Sequence, residues 1–90
     1  MSKLTAAIIE DEVPAARLLS SIITRLRPDW EVTVLPGSVE EAFVWFRTHS
    51  HPDILFLDIE IPGKNGVAVG NYIRSVLDND QIFIVYISSK

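Results

Sequence analysis

Apolar residues follow two rhythms along this chain. Thr5 to Ile9 and Ile54 to Leu57 are short, nearly unbroken apolar runs, and Ile82 to Ile87 is another. Runs of that length, rich in Ile, Leu, Val and Phe, predict strands buried on both faces of a sheet. Glu31 to Leu35 alternates weakly and ends at Pro36-Gly37, which predicts an edge strand closed by a turn. Between these runs the spacing changes to three and four residues. Ala15, Leu18, Leu19, Ile22 and Leu26 predict the apolar stripe of a first helix, which Pro14 opens and Pro28 stops. Val39, Ala42, Phe43 and Phe46 predict a second helix, with Ser38 and Glu41 spaced as a capping box. Val69, Ile73, Val76 and Leu77 predict a third, opening at Asn65-Gly66 and ending at the polar turn Asp78-Asn79-Asp80. The order β-α-β-α-β-α-β predicts an α/β fold with a parallel sheet and right-handed crossovers.

Composition narrows the class without naming a function. Ninety residues suit one domain, expected here to span 1–90, and an apolar fraction of 48% is ample for a core. Burial on folding is limited at this length, so a modest stability is expected. A net charge of -4, with the basic residues scattered, argues against a basic face for nucleic acid. The chain has no cysteine, which excludes disulfides and thiolate chemistry and fits a reducing cytoplasm. Its first residues carry no long apolar run, so neither a signal peptide nor a membrane span is expected.

The chemistry sits where the apolar runs stop. The run ending at Ile9 passes directly into Glu10-Asp11-Glu12, and the run ending at Leu57 into Asp58-Ile59-Glu60-Ile61-Pro62-Gly63. In an open parallel sheet the carboxyl ends of neighbouring strands share one edge, where ligands bind. Three carboxylates meeting there repel one another unless a cation joins them, and an all-oxygen donor set favours a hard ion such as Mg2+. Such a pocket would hold Mg2+ and leave Asp58 available for chemistry on phosphate.

These residues resemble the receiver domain of two-component response regulators, from Leu4 to the end of the chain. Glu10 and Asp11 are similar to that family's acidic pair, Glu12-Val13-Pro14 to its turn into the first helix, and Asp58 to its phosphoacceptor. Ile61-Pro62-Gly63 with Asn65-Gly66 resembles the loop after the phosphoacceptor, and Ser88 the Ser/Thr switch. The stretch from Asp58 to Gly66 is most similar to receivers that precede LytTR-type DNA-binding domains. The resemblance implies a flavodoxin-like doubly wound sheet of order 2-1-3-4. It implies Mg2+ held by Glu10, Asp11, Asp58 and the Glu60 backbone carbonyl. It also implies a sensor histidine kinase as partner and a parent protein that regulates transcription. It implies a phosphoacceptor rather than an enzyme.

The family pattern continues past the fourth strand into a fourth helix, a fifth strand carrying a lysine, and a fifth helix. Lys90 follows Ser88 too closely to be that lysine. A partial receiver is therefore expected, with impaired phosphorylation. Its fourth strand would form an exposed edge, inviting a homodimer or larger assembly through that edge or by exchange of a C-terminal element.

Plainer readings compete at each position. Glu10 and Asp11 alone read as a solvated strand end, and Asp58 alone as a turn cap. Their placement on two strands expected to be neighbours favours a shared site. Ser88 alone reads as a polar strand end, with Ser89 as a competitor. His49 and His51 read as exposed loop residues rather than metal ligands, and Trp30 and Trp45 as packing residues. Two rival functions remain: a self-association module incompetent for phosphorylation, and a phosphohydrolase with an aspartate nucleophile. The second is disfavoured because Glu60 stands where such enzymes place a second aspartate.

Overall fold

The computed structural model of the chain describes residues 3–35, 38–59 and 66–87. The chain runs β1 (Thr5–Ile9), α1 (Val13–Leu26), β2 (Glu31–Leu35), α2 (Val39–Thr48), β3 (Ile54–Asp58), α3 (Val67–Ser75) and β4 (Phe83–Ile87). The strands pair in parallel, in the order β2-β1-β3-β4, which is the flavodoxin-like order expected from the sequence. The strands lie within a residue of their predicted limits. β3 extends to Asp58, and β4 starts at Phe83 with Ile82 buried just before it.

Alternation along the strands sorts the core into two faces. Ala7, Ile9, Leu35, Leu55 and Leu57 look toward α2 and α3, where they pack with Ala42, Phe46, Val69 and Ile73. Phe43 of α2 stacks on Tyr72 of α3, with ring centroids 4.1 Å apart, and closes that layer. The opposite face, carrying Ala6, Ile8 and Phe56, is covered by α1.

Helices α1 and α2 each have a local cause. Pro14 lies in the first turn of α1, where its missing N–H loses no helical bond. Ser38 caps α2: its hydroxyl accepts from the Glu41 amide at 3.2 Å and donates to the Glu41 carboxylate at 2.9 Å.

Three expectations are corrected here. In α1 the residues buried on the sheet are Ala16 and Ile23, while Leu18, Ile22 and Leu26 are exposed. Periodicity gives the spacing but not the side of the helix that meets the sheet. In α3, Val69 and Ile73 are buried, but Val76 lies past the last turn and is exposed. His51 is not a loose loop residue. Its Nε2 lies 2.9 Å from the Phe46 carbonyl and its Nδ1 2.6 Å from the Asn79 amide nitrogen. The Asn79 side-chain oxygen accepts from the amides of Gln81 and Ile82, which fixes the nitrogen toward His51. His51 Nδ1 is therefore the acceptor, and Nε2–H donates to Phe46. This latch joins the end of α2, the approach to β3 and the turn before β4. His49 caps the end of α2 and stacks on Trp45, and Trp45 packs against the core.

Among the described residues, no helix is long and apolar enough to cross a membrane.

Candidate functional site

Strand register builds the site. Ala6 to Ile9 pair in order with Ile54 to Leu57, so the next residues of the two strands, Glu10 and Asp58, arrive side by side. The far end of the same strand pair is pinned by Asp53. Its carboxylate accepts from the Thr5 amide at 2.9 Å and from the Thr5 hydroxyl at 3.1 Å. A slip of one residue would turn every side chain to the other face, so this clamp and the two apolar runs together place the acids.

Glu10, Asp11 and Asp58 converge, each offering one carboxylate oxygen within 4.8 Å of the other two. Asp58 is fully buried, Glu10 is buried and Asp11 is exposed. The Glu10 carboxylate accepts from the Glu12 amide at 3.0 Å. Burial pushes the Glu10 carboxyl up to about 7, with a smaller rise from neighbouring Asp58, and the Glu12 amide partly opposes the shift. Burial, and to a lesser degree the neighbouring Asp58, disfavour the ionised Glu10, and a bound cation would relieve both.

The donor set fits Mg2+. It is all oxygen, it offers few carboxylates, and exposed Asp11 leaves one side open for the waters this ion retains.

One helix contact and one strand contact hold the backbone just after Asp58. The Gly66 amide donates to the Ile59 carbonyl at 2.6 Å, and the Ile59 amide donates to the Ile87 carbonyl at 3.0 Å. The peptide following Asp58 is thereby held between α3 and β4. In the sequence Gly66 belongs to a loop motif; its approach to the Asp58 backbone depends on packing, which spacing does not encode. Glu60 and Ser88, the remaining expected site residues, lie outside the described residues, as do Ser89 and Lys90.

Stress response regulator protein 1 of Lodderomyces elongisporus is 25% identical over 83 residues, covering 92% of this chain and 22% of that protein. The chain spans less than half the length of the curated relatives it matches. The phosphorylated cyanobacterial phytochrome response regulator RcpA superposes with a TM-score of 0.84 at 24% identity, covering 99% of this chain and 67% of that one. Response regulator TrrA of Thermotoga maritima, solved in complex with Mg2+-BeF, gives 0.73 at 25% identity, covering 94% and 67%. The family profile described as the response regulator receiver domain matches residues 6–90. With the parallel sheet and the acidic edge already in place, that match establishes that the chain belongs to the response regulator receiver domain family.

Proposed function

We propose that this receiver accepts a phosphoryl group from a sensor histidine kinase onto Asp58, in the cytoplasm and with Mg2+. The carrying observation is the fully buried Asp58 carboxylate, set against Glu10 and Asp11 at the carboxyl edge of the sheet. A buried carboxylate beside two others is expensive without a task. Binding of Mg2+-BeF by the related TrrA supports a site of the same kind here.

Each residue has a definite part. A carboxylate oxygen of Asp58 attacks phosphorus in line with the departing imidazole nitrogen. The P–N bond breaks, the new P–O bond makes an acyl phosphate, and the imidazole leaves with the electron pair and takes a proton. Glu10, Asp11 and Asp58 would hold Mg2+, together with the Glu60 backbone carbonyl. Bound there, the ion would offset charge on the transferring oxygens. Glu10 keeps the pocket acidic and is itself oriented by the Glu12 amide. Ser88 would donate to a phosphoryl oxygen as the switch hydroxyl.

Mg2+ titration followed by NMR tests the site. The amides of Glu10, Asp11, Asp58 and Ile59 should shift together, and Asp11→Asn should weaken binding by about ten-fold or more. Shifts confined to other regions, or unchanged affinity in Asp11→Asn, would refute the assignment.

A second reading has its own observation. Leu18, Leu26 and Phe83 are 63%, 64% and 66% exposed, on α1 and on the sheet strand β4. Among the described residues β4 is an edge strand. We infer that the chain self-associates, as a homodimer or larger assembly, through the β4 edge or by exchange of a C-terminal element. That role would be compatible with phosphorylation.

A further inference from the structure

Helix α3 carries two glycines one turn apart, Gly66 at its N-cap and Gly70 within it, and both are buried. Neither is required by backbone conformation. Gly66 has φ -62° and ψ -19°, values any residue adopts. What distinguishes them is what a side chain would strike. A Cβ on Gly66 would overlap the carbonyl oxygen of Asp58 and stand 2.9 Å from both the Asp58 carbonyl carbon and the Ile59 Cα. A Cβ on Gly70 would overlap the Tyr86 hydroxyl oxygen and stand 3.2 Å from its Cζ. One glycine meets the backbone of a strand; the other meets the tip of a side chain.

The difference matters because backbone cannot swing aside. The Asp58–Ile59 segment is already fixed from two directions. Gly66 donates to the Ile59 carbonyl at 2.6 Å, and Ile59 donates to the Ile87 carbonyl at 3.0 Å. Beyond Gly66 the helix begins at once, with Val69 and Gly70 donating to the Gly66 carbonyl at 3.0 and 3.3 Å. The first turn of α3 is therefore tied to the peptide that follows Asp58.

We propose that Gly66 is a positioning residue for Asp58: its missing Cβ lets α3 seat against the Asp58 carbonyl and fixes where the Asp58 carboxylate meets Glu10 and Asp11. The inference rests on Asp58 being the phosphoacceptor. A methyl group at 66 displaces the Asp58 carbonyl, and the carboxylate moves with it. Displacement on the order of 1 Å at a reacting group costs about 100-fold in rate. Gly70 supplies the matched control. Alanine there disturbs the same helix one turn further on, yet meets Tyr86 instead of the site.

The test compares acetyl phosphate labelling rates in Mg2+ for wild type, Gly66→Ala, Gly70→Ala and Gly70→Ala/Tyr86→Phe, each with its melting temperature. Gly66→Ala should label about 100-fold more slowly. Gly70→Ala should lose thermal stability while labelling within about three-fold of wild type. Tyr86→Phe removes the struck oxygen and should restore stability to Gly70→Ala; no side-chain change can do so for Gly66→Ala. Equal slowing in both alanine variants, or wild-type labelling in Gly66→Ala, overturns the proposal. Should Gly66→Ala not fold, Mg2+ titration of the wild-type chain decides instead. The Gly66 amide should then shift with Ile59 while the Gly70 amide stays still, and a still Gly66 amide overturns the proposal. A wild-type chain that takes no label counts against the phosphoacceptor reading, and positioning is then judged from the Asp58 and Ile59 amide shifts alone.

Discussion

Glu10 is held near neutrality by burial and by Asp58, and this makes the pocket sensitive to protons as well as metal. Its folded value of about 7 lies above the ordinary 4.5, so the folded chain binds this proton more tightly than the unfolded chain. The stabilising contribution is complete below about 4.5 and is lost as pH rises through about 7. Urea denaturation of the metal-free chain should therefore show Glu10→Gln losing less stability than wild type between pH 5 and pH 8. Mg2+ should recover the wild-type loss at the upper pH, because the ion takes the proton's place. A wild-type profile identical to that of Glu10→Gln would contradict this. The same scale shows where sequence reading stops. The acids were visible because each interrupts an apolar run. His51 was not, because its role depends on Asn79, 28 positions away, whose oxygen is engaged by two backbone amides. Asn79→Ala removes both the donor to His51 and the acceptor for those amides. It should destabilise the chain by roughly 1–3 kcal/mol, read as a shift in the denaturation midpoint at constant slope.

At the scale of elements, strands were legible and helix faces only in part. The four strands are bounded by charge, proline or turn residues, so their limits follow from the chain. Helix α1 has two sets of residues at helical spacing. Ala16 and Ile23 lie on the sheet, while Leu18, Ile22 and Leu26 lie outward. Ala15 and Leu19 of the predicted stripe are half-buried between the two. Small Ala16 is buried under the helix, and volume at a contact is not encoded in periodicity. In helix α2 the expected Ala42 and Phe46 are buried and Phe43 packs against them, with the Ser38 cap fixing its start; the Val39 side chain lies outside the described residues. Two substitutions separate cap from core. Ser38→Ala should cost about 1 kcal/mol. Phe46→Ala, which empties the centre of the larger layer, should cost about 3–5 kcal/mol. Chemical denaturation measures both, and a cap variant as damaging as the core variant would show that α2 is not held by its buried face.

The whole molecule is asymmetric about its sheet. Among the described residues, one face is covered by two helices with a continuous core between them, and the other by α1. Leu18, Leu26 and Phe83 remain open on the described surface. At about 25 cal/mol per Å² of apolar surface, covering a few hundred Å² would add several kcal/mol, a large share of the stability of a small domain. Sedimentation at rising concentration should therefore show reversible association, and Val85→Lys on β4 should weaken it. A stable monomer at tens of micromolar that tolerates Val85→Lys would rule this out. The central claim is that the converging carboxylates make Asp58 a phosphoacceptor. Intact mass after incubation with acetyl phosphate, with and without Mg2+, tests it most directly. The account predicts a gain of one phosphoryl group that requires Mg2+ and is absent in Asp58→Asn. No gain at any Mg2+ concentration, or a gain that survives Asp58→Asn, would contradict it.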